Sequence, residues 1–327
     1  MAKEGRPKRG SRAFWPRKRA KRIYARVSHY PLAEKAKAMG FAGYKVGMAH
    51  AIILDSRKGS PSFGQEITTP LTILECPPLR VVGVRAYVSS AKGLRAAGEA
   101  WTSDAPKELA RKLKVGKAKT DEKLAEMEKI LDKVSILRFI IATQPVLSGV
   151  GKKKPEVFEV EIGGKSAKEK FDFAKGMLGK EISAKDVLQE GEIVDAIAVT
   201  KGKGFQGVVK RFGIRIQDRH AKKKKRHIGT LGPQTPRRVR HTVPQAGQLG
   251  FQTRTELNKR VLKIGEDGKE INIAGGFIRY GVIKNNFVLI EGSLPGPKKR
   301  LIRLRPALRP VRARVLPVEI REIVKGG

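Results

Sequence analysis

A chain of 327 residues is long enough for one large domain or two ordinary ones, and with 40% apolar residues it is not a disordered basic tail. Its 70 Lys and Arg against 31 Asp and Glu leave a formal charge of +39, which repels itself in a compact monomer unless an anionic partner neutralises it. A single cysteine, Cys76, excludes an intrachain disulfide framework and a Cys-x-x-Cys metal knuckle, and no uncharged apolar run approaches the roughly 18 residues of a membrane span.

The charge is unevenly placed. Residues 1–26 carry eleven cations against Glu4, with Phe14 and Trp15 beside Arg17, Lys18, Arg19, Lys21 and Arg22, and read as a basic N-terminal extension reaching about residue 40. Residues 44–56 and 66–88 are rich in Val, Ile, Leu and Thr broken by Gly and Pro, the pattern of short strands joined by turns, and mark residues 41–91 as the first half of a β-barrel. Over residues 92–188 an α+β insert is expected. In it, Leu124, Met127, Leu131 and Val134 recur at helical spacing, Phe171, Ala174 and Leu178 suggest a second helix, and Val157–Ile162 alternates apolar and acidic residues as a half-buried strand does. Residues 102–135 are nearly neutral, +9 against −7.

Strands return at Ile193–Thr200, and residues 189–214 read as a barrel strand followed by a basic hinge. Residues 215–258 form a long central loop, and residues 259–327 the second half of the barrel with strands at Phe277–Ile283, Asn286–Glu291 and Leu301–Arg305. In the last of these, Ile302 and Leu304 alternate with Arg303 and Arg305, which places two cations on the open face. Residues 201–260 hold 17 cations against Asp218 and Glu256. With Gly and Pro recurring and large apolar residues sparse, phosphate neutralisation would supply the ordering free energy that a core supplies elsewhere. Aromatics at 6% favour backbone neutralisation over base readout.

Enzymatic motifs are absent or incomplete. Gly202, Gly204 and Gly207 match Gly-x-Gly-x-x-Gly, but the following residues, Val208–Ile216, are a poor helix former, and His227 stands where an acid would bind a ribose. The glycines instead fit a hinge that lets backbone lie close to phosphate. Gly164-Lys165-Ser166 lacks the first Gly of a phosphate-binding loop, since Glu159 stands there. His220 and His227 sit among lysines with Asp218 as their one acidic neighbour, too few ligands for zinc. No catalytic residue, cofactor or metal is expected.

Gly202–Gly213, Gln234–Val239 and Ala246–Gly250 closely resemble ribosomal protein three of the large subunit, and Phe14–Arg22 and Gly43–Met48 resemble its archaeal and eukaryotic branch. The resemblance runs the length of the chain. It implies a mainly β fold, a translation-factor-like β-barrel interrupted by an α+β insert, with long basic extensions that penetrate RNA. It implies a structural constituent of the large ribosomal subunit that supports early assembly, with large-subunit ribosomal RNA and neighbouring ribosomal proteins as partners. By motif match the central loop, tipped by Gly232, Pro233, Gln234, Thr235 and Pro236, approaches the peptidyl transferase centre. Many members of that branch have Trp where this chain has Gln234, so an amide capable of hydrogen bonding replaces a stacking ring.

The RNA-binding residues expected from charge and motif together are, in the N-terminal arm, Arg17, Lys18, Arg19, Lys21 and Arg22. In the hinge they are Lys201, Gly202, Lys203, Gly204, Gly207, Lys210 and Arg211. In the loop they are Arg215, Arg219, Lys222, Lys223, Lys224, Lys225, Arg226, Arg237, Arg238, Arg240, His241 and Arg254, and in the last strand Arg303 and Arg305. The expectation is a non-enzymatic protein of the cytoplasmic ribosome, with no membrane partner and no free homo-oligomer. An RNA-modifying enzyme would need a donor-binding loop leading into a helix or a nucleophilic pocket. A DNA-packaging protein shares the charge but seldom needs a long Gly/Pro-rich arm.

Overall fold

The computed structural model describes residues 10–57, 59–113, 119–221, 223–311 and 318–324. They divide into two compact units, one made of the described residues of 24–198 and 255–324, the other of those of 10–23 and 199–254.

The larger unit is mainly β. Its first sheet comprises β1 (Phe41–Leu54), β2 (Glu66–Glu75), β8 (Ile193–Val199), β11 (Thr253–Gly265), β12 (Phe287–Glu291), β13 (Leu301–Pro306) and β14 (Ile320–Val324). They pair in the order β13-β8-β11-β12-β2-β1-β14, and β13 also pairs with β1 through Phe41–Leu304 and Tyr44–Leu301. Six strands therefore close into a ring, with β14 added at the side of β1. Closure gives these strands one shared core, into which Val194, Ala196, Ala198, Ile302 and Leu304 pack with Phe41, Leu71, Ile73 and Phe287.

The second sheet, β4-β3-β5-β6 with β7 on β3, comprises β3 (Leu79–Ser90), β4 (Gly93–Trp101), β5 (Ile136–Ala142), β6 (Val157–Glu161) and β7 (Glu181–Ile182). Helices α1 (Thr120–Lys129) and α2 (Ala167–Met177) pack on β4 and β5, and α3 (Ala184–Val187) follows. Ser166 caps α2 by accepting from the Glu169 amide, while the Glu169 carboxylate accepts from the Lys165 amide. That cap gives Ser166 a structural role, and Gly164 before it stands at φ +133°.

Three sequence expectations are corrected. Strand β3 pairs with β4, β5 and β7, so the second sheet begins at Leu79 instead of near residue 92, and only β1 and β2 precede it in the barrel. Phe277–Ile283 is not a strand. It is a turn closed by a Phe277–Gly281 bridge and tied to buried Glu75, whose carboxylate accepts from the Lys284 and Asn285 amides at 2.9 and 3.2 Å. Arg303 and Arg305 do not stand on an open face. Residues Tyr24–Tyr30 cover that face: Arg303 donates to the Ala25 carbonyl, the Tyr30 hydroxyl and the Glu159 carbonyl, and Arg305 to Asp195 and the His29 carbonyl. Only 2% and 7% of these arginines is exposed, so neither is offered to an external phosphate. Burial holds the Arg303 guanidinium below the ordinary Arg value.

Candidate nucleic-acid interface

The smaller unit joins the N-terminal arm to the hinge and central loop. Its base is ordered by protein contacts. Strand β9 (Phe205–Gln206) pairs with β10 (Gly247–Gln248), and the Lys203 and Leu249 amides donate to the Leu249 and Gly204 carbonyls, both at 2.9 Å. Gly250 sits at φ +75°, with its Cβ position 2.1 Å from the Lys201 carbonyl oxygen, so no other residue fits without moving the hinge.

A helix does follow the glycine motif, contrary to expectation. It is α4 (Val208–Phe212), five residues closed by Gly213 at φ +62°. One turn suffices because Val208 and Phe212 are buried and Arg211 is spent inside the unit, donating to the Gln245 and Gln248 carbonyls at 2.7 and 3.1 Å. Gly247 leaves room for that guanidinium, which lies 2.7 Å from its Cβ position. Burial and the nearby Arg17 hold the Arg211 guanidinium below its ordinary value. Arg211 is thus a brace of the loop base and is corrected as a phosphate-facing residue.

The arm is latched to this base. Trp15 stacks on Phe212 at 5.0 Å between centroids and 24° between planes, and Arg17 and Arg211 lie 5.2 and 5.1 Å from the same ring. Arg17 donates to the Arg12 and His241 carbonyls at 3.1 and 2.8 Å. The Ala20 amide donates to the Phe251 carbonyl, and Gln252 to the Pro16 carbonyl. Composition concealed this latch because its aromatics are two residues among 327. The visible signal was Trp15 beside a basic run.

Beyond the base, apart from the Arg17 and Arg211 bonds to the His241 and Gln245 carbonyls, the described residues of 215–246 make local bonds: Gln217 amide to Lys225 carbonyl, His227 Nδ1 with the Lys224 carbonyl, Arg238 amide to Pro236 carbonyl. Lys18, Arg19, Lys21, Arg22, Lys201, Lys203, Lys210, Arg215, Arg219, Lys223, Lys224, Lys225, Arg226, Arg237, Arg238, Arg240, His241 and Arg254 are all exposed, as are the tip residues Gly232, Pro233, Gln234 and Thr235. Lys222 lies outside the described residues. Among the described residues of this unit Asp218 is the only carboxylate, and its Oδ1 is occupied by the His220 amide in a turn. A surface with many cations and one committed acid cannot neutralise itself. It can neutralise a chain of phosphates. Among the described residues no group of three or more His, Cys, Asp or Glu could hold a metal ion, and no helix is long and apolar enough to cross a membrane.

The chain is similar over most of its length to known proteins. Over 312 residues the chain is 53% identical to the large ribosomal subunit protein uL3 of Methanopyrus kandleri, covering 94% of this chain and 86% of that one. Its identity to the same-named protein of Archaeoglobus fulgidus is 50%, covering 94% and 93%, and to that of Methanobrevibacter smithii 47%, covering 95% and 94%. The family model described as Ribosomal protein L3 matches residues 1–324, and the chain belongs to that family.

Proposed function

We propose that the chain binds large-subunit ribosomal RNA through the exposed cations of its smaller unit, supports early assembly of the subunit, and carries the Gly232–Pro236 tip toward the peptidyl transferase centre. As a member of the ribosomal protein L3 family it is a structural constituent of the ribosome and not an enzyme. On this reading its place is the cytoplasmic ribosome, with ribosomal RNA and neighbouring large-subunit proteins as partners. The closed six-stranded sheet is the translation-factor-like barrel of the family, and the second sheet with its helices is the insert.

One observation carries the reading: the exposed cations among the described residues of 215–241 lie along backbone with no core of its own, beside the single carboxylate of Asp218. Glycines 202, 204 and 207 are exposed, so their backbone is open to a sugar-phosphate chain.

If about ten phosphates are neutralised, affinity for large-subunit RNA falls with salt at a log–log slope of roughly −7 to −9. Filter binding across a salt series measures it, and a slope near −2 would overturn phosphate threading. The tip and its braces separate in a second experiment. Gln234→Ala is expected to alter translation while leaving subunit assembly intact, whereas Arg237→Glu with Arg238→Glu depletes mature subunits in sucrose gradients. The reverse pattern would refute the division.

A further inference from the structure

A second cationic site lies in the larger unit, at residues that neither the charge runs nor the family motifs single out. The β12–β13 connection and the 271–286 loop meet at β1. Lys298 Nζ donates to the Ile278 carbonyl at 2.8 Å, which brings the Lys298 ammonium to the peptide that precedes Arg279, with Lys299 next to it in the chain. The Lys299 amide donates to the Lys45 carbonyl at 2.7 Å, and the Lys45 amide to the Arg300 carbonyl at 3.0 Å. Beneath them Lys45, itself buried, points its Nζ at the Leu294 and Gly296 carbonyls, 2.6 and 3.4 Å away. Arg279, Lys298 and Lys299 are exposed.

The loop that carries Arg279 is tied to buried Glu75. The Glu75 carboxylate, fully buried, accepts from the Tyr280 hydroxyl, the Gly149 amide, the Lys284 and Asn285 amides and the Asn285 side chain. Its lone pairs are committed to holding the loop, so it is not a counter-ion for the surface. Among the described residues no carboxylate forms an ion pair with Lys45, Arg279, Lys298 or Lys299.

The backbone supplies the independent observation. Arg279 and Lys299 both adopt left-handed conformations, at φ 65° and 69°. A residue with a Cβ is disfavoured there by about 1–2 kcal/mol, and glycine removes that cost. Neither side chain makes an intrachain hydrogen bond or ion pair among the described residues that would offset it. Two strained positions in one small cluster both carry a cation where the fold alone would favour glycine, and strain of this kind collects at binding sites.

We infer that Arg279, Lys298 and Lys299 form a second phosphate site, in the larger unit, which takes the phosphodiester backbone of RNA. This rests on the RNA-binding reading above. Lys298 is fixed by one donor and keeps its others outward, Arg279 offers a fork for paired phosphate oxygens, and Lys299 adds a point charge.

The test is the full chain carrying Arg279→Gly and Lys299→Gly. Glycine relieves the backbone, so the melting temperature is expected to hold or rise, while the salt slope for large-subunit RNA becomes shallower by about 1.4–1.8, at roughly 0.7–0.9 per phosphate lost. Footprinting should show one stretch of protected nucleotides lost and the remainder kept. A steep slope that is identical in both proteins overturns this site alone. A native slope near −2 overturns the RNA-binding reading and this site with it. Inorganic phosphate provides the second arm: if it stabilises the native chain but not the variant, with the RNA slope unchanged, the site is one for small anions and the RNA assignment fails. Should the double variant melt early, Lys298→Gln in the native background is expected to lower the slope by about 1, and no change there overturns the site.

Discussion

Asp195→Ala is expected to lower the melting temperature by on the order of 10 °C without changing the salt slope of RNA binding. Asp195 is buried, and its carboxylate accepts from Arg305 Nη2 at 3.1 Å, Arg305 Nε at 3.3 Å, the Asn258 amide at 3.1 Å and the Leu308 amide at 3.4 Å. Removing it strands a guanidinium that is 7% exposed, with the His29 carbonyl as its remaining acceptor. Breaking one side of a buried pair costs about 3–5 kcal/mol, and for a unit of this size each kcal/mol moves the midpoint by roughly 2–4 °C. Asp195→Ala with Arg305→Met should recover much of the loss, since an apolar replacement of both partners removes the uncompensated charge. Thermal melts of the single and double variants measure this, and RNA titration below the midpoint completes it. A slope that becomes shallower in Arg305→Met would return Arg305 to the RNA surface and refute the structural assignment.

Arg305 also shows what the sequence could and could not reveal. Period-two alternation correctly separates Ile302 and Leu304 from Arg303 and Arg305, but it cannot say what lies over the second face. Here that cover is Tyr24–Tyr30, remote in sequence and outside any local pattern. Strands rich in Val and Ile, such as Val157–Glu161 and Ile193–Val199, were legible because their burial is written in β-branched residues. Gly93–Trp101 and Thr253–Gly265 were not. The first has five Gly and Ala among its nine residues and no β-branched one, and the second begins with five exposed residues and places Arg260, paired to Glu291, within the sheet. The exposed cations of the central loop were legible because charge needs no fold to be counted. Which cations of the arm and hinge serve the protein itself was not, because Arg17 and Arg211 differ from their neighbours only in the carbonyls and the ring they meet.

That distinction yields the second large effect. Phe212→Ala is expected to weaken binding to large-subunit RNA by about a hundredfold or more at every salt concentration, with the slope unchanged. Phe212 is 4% exposed and lies between Trp15, Arg17 and Arg211. Deleting a buried phenylalanine typically costs about 3–5 kcal/mol. In this unit that free energy orders the arm against the loop base, so the variant must supply the ordering when RNA binds, and each 1.4 kcal/mol so spent is a tenfold loss. No phosphate contact disappears, so the number of released counter-ions stays the same. Arg237→Glu with Arg238→Glu should do the opposite, making the slope shallower by about 2 while leaving the latch intact. Trp15→Ala should follow Phe212→Ala with a smaller loss, nearer tenfold, because Trp15 is only half-buried. Proteolysis of the free proteins provides the complementary measurement: cleavage after Arg17 through Arg22 should accelerate in the aromatic variants and not in the charge-reversed one. If Phe212→Ala lowers the slope as charge reversal does, the ring is not preorganising the arm, and the cations around it touch RNA directly.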